Sequence, residues 1–356
     1  IGYQPNQLSY SIYKKIITDS SWRLARSKMG YKDINKHLMY NFAGKPYIDT
    51  RLSFNSMIPK GINKNLTKKL ILSWSKLLIK KPYLHDKIEF EIVDGSYDAS
   101  FLQKVKKKYN FFSSKEKKQY IDVIKEFTKN QIINSEKNFI SLDKKLHELE
   151  EERIKFVKVC LHNKNSLNKK NILNFISKLK NLGTIPFSIY ARHAFIAKKF
   201  FNSLVNENLI SNKTYSKLLN SIGTMTNEYI KLKKKSKKDV KNKKNFNNHF
   251  FHLRPGTYDI NVNRYNVKIS DYKINDMSLI FTKKDNYYKF SKAENHKLDK
   301  FFKNHSLDFN QNHLLKYFLT SIKMRENSKF IFTRALSDLI EILKKFGDKY
   351  DINRKR

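Results

Sequence analysis

The residue types best suited to chemistry gather in one short stretch, His252-Leu253-Arg254-Pro255-Gly256-Thr257-Tyr258-Asp259, with Arg264 just beyond it. Pro255 and Gly256 suit the two central positions of a type II turn, where proline pre-sets φ and glycine supplies a positive φ. Arg254, biased toward extended geometry by the proline that follows, is expected to leave this turn on one side, with Thr257, Tyr258 and Asp259 on the other. An anchored guanidinium, hydroxyls and a carboxylate could then converge on one polar ligand. The same residues could instead form a buried arginine-aspartate clamp that fastens a loop between helices, and the residue types alone favour the clamp.

A second stretch runs from Asn41 to Pro59, with helix-breaking Gly44 and Pro46 followed by a strand-like alternation over Tyr47 to Phe54. A strand there places Asp49, Arg51, Ser53 and Asn55 on one face. That polar face could line a site or face solvent. Other chemistries lack their signatures. There is no glycine-rich phosphate loop, no cysteine pair and no His-Glu-x-x-His zinc spacing. His249 and His252 stand three apart without a third ligand that the sequence can name, so no metal site is expected. No nucleophile with its base can be identified, which leaves the catalytic residues unknown. Arg325 and Glu326 form a further polar pair that fits helix packing better than catalysis, and the same holds for Arg192 and His193.

These residues must be positioned mostly by helices. Apolar residues step by three and four over 8–29 (Leu8, Ile12, Ile16, Trp22, Met29, with Gly30 as the stop), 66–82, 114–129, 141–162 and 167–182, where Gly183 is the expected cap. The same spacing continues over 185–205, 215–230 and 311–346, and a shorter helix fits 298–302. Ile88 to Val93 alternates like a short strand. The acidic cluster Glu148 to Glu152 reads as a solvated helix face. The run Lys231 to Lys244 has neither arginine nor aromatics, and 231–249 is expected to be a basic mobile linker. Residues 262–293 look like a long irregular connection. The expected class is mainly α, a multi-helix domain with a few short β-strands.

With 40% hydrophobic and 13% aromatic residues, the 356-residue chain can bury a large core. Its formal charge of +41 is discounted as a functional signal, because lysine, asparagine and isoleucine are enriched throughout while there are only 9 glycines and 6 prolines. That profile is the bias of an AT-rich coding sequence; a nucleic-acid site would concentrate arginine, lysine and aromatics on one stripe. The single cysteine, Cys160, excludes an intrachain disulfide, fits a reducing compartment, and sits in an apolar run that suits core packing. No secretory signal opens the chain and no apolar run approaches the roughly 20 residues of a membrane span, so a cytoplasmic location without membrane partners is expected. Ile1 is not a start methionine and the chain ends in a charged segment, which suggests a fragment of a longer polypeptide.

Five segments, taken in order, carry a resemblance: Pro5 to Asp19, Gly44 to Ser56, His85 to Ile92, His252 to Asp259, and Arg325 to Ser337. Together they resemble bacterial proteins related to phosphoenolpyruvate synthase and pyruvate phosphate dikinase. In that family an ATP-grasp domain precedes this region and a mobile phosphohistidine domain follows, as in the domain order of rifampicin phosphotransferase. The resemblance implies that residues 1–356 are the central helical region of a phosphohistidine-relay phosphotransferase, inactive as a fragment. Its partners are the missing ATP-grasp and phosphohistidine domains, with ATP and Mg held only there and no cofactor in this segment. A small-molecule acceptor is implied here. Phosphoryl transfer needs an acceptor held in line and cations to stabilise the transferring oxygens. The candidate substrate-binding residues are therefore Asp49, Arg51, Asn55, Arg254, Tyr258, Asp259 and Arg264. Two alternatives remain at this stage: a basic nucleic-acid-binding protein, motivated by charge alone and not expected, and a non-catalytic helical scaffold.

Overall fold

In the computed structural model the chain is described over residues 1–162, 164–264 and 289–352. Short polar side chains start its helices. Asn6, Asp49, Asn63, Ser113, Asn168, Ser211, Thr224, Asp239, Ser291 and Asn310 each accept a hydrogen bond from a backbone N–H of the first turn that follows. Ser113 with Glu116 and Ser291 with Glu294 complete reciprocal capping boxes.

The α-helices in chain order are α1 (Gln7–Tyr13), α2 (Ser21–Lys28), α3 (Thr50–Asn55), α4 (Lys64–Lys80), α5 (Phe101–Lys108), α6 (Ser114–Ile133) and α7 (Ser135–His162). They continue as α8 (Lys169–Lys178), α9 (Ile185–Asn206), α10 (Asn212–Ser221), α11 (Met225–Ser236), α12 (Val240–Phe250), α13 (Lys292–Asn304) and α14 (Gln311–Lys349). The fold is mainly α. The 39-residue α14 is its axis, packed along α9 and α7. Phe201 stacks on Phe318 with ring centroids 4.0 Å apart, and Phe187 meets Phe332 at 5.1 Å, so the two long helices share an aromatic seam. No described helix is long and apolar enough to cross a membrane.

Several expected elements differ. The alternation over Tyr47 to Phe54 does not form a strand beyond Ile48. β1 (Met39–Phe42) and β2 (Lys45–Ile48) make an antiparallel hairpin across Ala43 and Gly44, whose φ values of 49° and 78° suit a type I′ turn. Asp49 then caps α3, its Oδ1 accepting from the N–H groups of Arg51 and Leu52 at 2.9 and 3.1 Å. A capping carboxylate thus overrides the period-two pattern, and Asp49, Arg51, Ser53 and Asn55 do not share a strand face.

Ile88–Ile92 is a π-helical turn rather than a strand. Another π turn, Leu179–Thr184, carries α8 directly into α9, so Gly183 is not a cap. A Cβ at Gly183 would stand 2.8 Å from Leu149 Cδ2, which explains the glycine by close approach. Residues 215–230 divide into α10 and α11, separated at Ile222 to Thr224. The 231–249 run, expected as a mobile linker, is mostly helical: α11 and α12 pair as a hairpin closed by Tyr229 against Phe246 and Phe250, with the lysines exposed. Of the expected irregular connection 262–293, residues 265–288 lie outside the described residues; Lys292 already belongs to α13.

Candidate functional site

The central turn is displaced from its expected position. Gly256 does not adopt a positive φ, and the hydrogen-bonded turn runs from Gly256 O to the Asp259 N–H at 3.0 Å, with Thr257 and Tyr258 at its centre. Gly256 is required for close approach, since a Cβ there would meet the Asp259 Cβ at 3.0 Å. The far side of the turn is fastened to α1. Asn6 Nδ2 donates to Asp259 Oδ1 at 2.8 Å, Ser9 Oγ donates to Tyr258 O at 2.9 Å, and the Tyr13 and Tyr258 rings meet edge to face at 5.1 Å. Burial pushes the Tyr258 hydroxyl above its ordinary range, so it stays protonated.

Arg254 is a clamp, although its partners are not the Asp259 carboxylate. Its Nη2 donates to Ser337 Oγ and Glu341 Oε1, both at 2.9 Å, while its Nη1 donates to Val262 O at 3.2 Å. One guanidinium therefore closes its own loop and ties that loop to α14. Arg264 repeats the device, with Nη1 2.8 Å from Asp338 Oδ1. Asp338 Oδ2 in turn accepts from Arg153 Nη1 at 2.6 Å, and Glu150 bridges Arg153 and Arg334. The result is a buried ion network that joins the loop, α7 and α14. Burial raises the Glu150 carboxyl, but Arg334 and Arg153 outweigh it and hold the group below its usual range. His252 lies inside the network, 2% exposed, with neither ring nitrogen hydrogen-bonded and its ring 4.5 Å from Phe330. Burial, reinforced by Arg334, Arg153, Arg264 and Arg254, pushes its pKa well down. It is a neutral packing group at pH 7.

The other predicted residues are placed elsewhere. Arg51 is exposed, Asp49 is occupied as a cap, and Asn55 is half-buried with its Oδ1 enclosed and unpartnered. Ser53 O and Ser56 Oγ accept from Arg26, whose Nη2 pairs with Glu89 at 3.1 Å. Glu89 also faces Arg192, whose Nε donates to Tyr31 at 2.8 Å. The two stretches therefore belong to separate polar nodes, one built on Arg26, Glu89 and Arg192, the other on Arg153, Glu150 and Asp338. Sequence reading missed both. The sequence places Glu150 on a solvated face, and the available signal was the i, i+3 spacing of Glu150 and Arg153 beside the buried apolar positions of an amphipathic helix.

What the structure does open is a groove of about 480 Å³ between α11, the end of α12 and α14. Met225, Tyr229, Phe250, Leu253 and Phe330 form its apolar lining, and Arg325, Lys329 and Thr333 step by four along its α14 side. Phe250 meets Phe330 at 5.5 Å, nearly perpendicular, which continues the Tyr229 contact into one aromatic wall. Glu326 is not paired with Arg325. Its Oε2 accepts from the Thr226 N–H and Oγ1, both at 3.1 Å, while the Arg325 guanidinium lies 5.5 Å over the Phe195 ring. A groove of this volume with convergent polar groups has the dimensions of a small-molecule site. Among the described residues no set of three His, Cys, Asp or Glu side chains is arranged to hold a metal ion. Comparisons with family models, with curated proteins and with solved structures return no match to this chain.

Proposed function

We propose that this chain is the central, acceptor-holding helical region of an ATP- or phosphoenolpyruvate-dependent phosphotransferase of the dikinase type. ATP and Mg belong to an ATP-grasp domain of the same protein in this reading, and a phosphohistidine domain delivers the phosphoryl group. The ordered resemblance of five segments motivates it, and the groove between α11, α12 and α14, of small-molecule size, is the observation that supports it. Arg325 and Lys329, on the groove's edge, supply the cations that phosphoryl chemistry requires. Of the seven residues singled out in the sequence, Arg254 and Arg264 are engaged with Glu341 and Asp338.

Sequencing the gene outward tests the assignment: an ATP-grasp segment upstream and a phosphohistidine segment downstream are expected, and their absence removes the proposal. In the full-length protein, Arg325→Ala with Lys329→Ala should depress product formation and leave formation of the phosphohistidine intact. A second reading, a scaffold between moving domains, is favoured by the buried network that joins the 252–264 loop to α7 and α14. It predicts that no small molecule binds the groove.

A further inference from the structure

The groove has two chemically distinct halves, and together they specify a ligand class. On one side Tyr229, Phe250 and Phe330 present ring faces and edges, with Met225 and Leu253 completing a surface that water solvates poorly. On the other, Arg325 and Lys329 lie one helical turn apart on α14 and are exposed, so their charged ends can close on a group between them. Neither has an ion-pair partner among the described residues. The nearby carboxylate, Glu326, is held by Thr226 at the start of α11. It therefore caps a helix rather than bridging the two cations.

We propose that the groove binds a planar, largely apolar ligand that carries one anionic group, a carboxylate, sulfonate or phosphate. The rings lie against Tyr229, Phe250 and Phe330, and the anion sits between Arg325 and Lys329. A neutral hydrocarbon would fill the apolar half and leave both cations to solvent. A compact polar anion would satisfy the cations and leave the aromatic wall wet. Both are weaker ligands than the amphipathic one. This deepens the acceptor-binding reading and rests on it for the ligand's biological role, while the binding chemistry stands on the groove alone.

Anilinonaphthalene sulfonate and its uncharged analogue N-phenylnaphthylamine separate the two halves, because they share rings and differ in the anion. Fluorescence titration of the folded chain should show saturable binding of the sulfonate, weakened by added salt. Arg325→Ala combined with Lys329→Ala should weaken the sulfonate by about tenfold or more, the equivalent of losing a charged hydrogen bond, and leave the neutral probe unchanged. Thr333→Trp, which places a bulky ring in the groove, should remove both probes. Circular dichroism shows whether each variant keeps the helical signal. Sulfonate binding that ignores the double variant, or either probe surviving Thr333→Trp, overturns the proposal. Probe binding that behaves as described beside a gene with no ATP-grasp segment would keep the ligand class and discard the phosphotransferase; the reverse pattern would keep the phosphotransferase and discard the groove.

Discussion

Two neighbouring lengths of α14 use the same residue types to opposite ends. From Arg334 to Lys344 its charges are buried or half-buried and each is met by a partner: Arg334 by Glu150, Asp338 by Arg153 and Arg264, Glu341 by Arg254 and Lys344. From Arg325 to Thr333 its cations are exposed beside an aromatic groove. Charge alone does not mark a functional residue; what separates the two lengths is whether the protein itself supplies the counter-charge. Where it does, the network fixes a loop and two helices in one arrangement. Where it does not, the cations stay at the surface beside the groove.

The strongest way to break this comparison is through the buried network. Asp338→Ala leaves Arg153 and Arg264 facing a missing partner, and a destabilisation of about 3 to 5 kcal/mol is expected, because an uncompensated buried charge costs more than the pair contributes. Urea unfolding measures it, and a loss below about 1 kcal/mol, the range of an exposed pair, would show that the network is solvated. Next in size is Gly183→Ala, where the new Cβ would press on Leu149 at 2.8 Å and on Phe332 at 3.2 Å. Overpacking of this kind costs about 1 to 3 kcal/mol, and it would loosen the seat of α7 against α14.

A third effect appears with pH. His252 and His193 are both buried and their pKa values are lowered, by burial first and by neighbouring arginines second, that of His193 to about 3. Both stay neutral when folded and take up a proton near pH 6.5 once unfolded. Their contribution is therefore complete above that pH and declines as pH falls, by about 1.4 kcal/mol per unit for each histidine. His252→Leu removes one such group, so the decline in the urea midpoint between pH 7 and 5 should be shallower; an unchanged slope would mean that His252 is protonated in the fold. The smallest effects belong to exposed positions. Arg51→Ala, and Arg325→Ala with Lys329→Ala, are each expected to change stability by about 0.5 kcal/mol or less, and a larger loss would move those side chains into the tied class.

Helices were legible in the sequence because their apolar periodicity is long: α4, α6, α7, α9 and α14 fall close to where three-and-four spacing places them. Short elements were not. Asp49 looks like one polar position in an alternating run, yet its side chain can reach two backbone N–H groups, and local capping decides the conformation over six residues. Gly183 resembles a helix stop because sequence does not show that Leu149 and Phe332 converge on it. The clamp at Arg254 was readable from an arginine beside a rigid turn, but its partners Ser337 and Glu341 are 83 and 87 positions away, and no spacing rule connects them. The groove was least legible. Tyr229, Phe250 and Phe330 each look like core, and they become a wall only when α11 and α12 pair as a hairpin beside α14.

The central claim is that Arg254 holds the fold while Arg325 and Lys329 hold a ligand. Titration of anilinonaphthalene sulfonate into folded Arg254→Ala and folded Arg325→Ala/Lys329→Ala, side by side, tests it directly. The account predicts that the Arg254 variant retains the affinity of the parent chain and that the double variant loses about tenfold or more. Loss of affinity in the Arg254 variant with none in the double variant would contradict it.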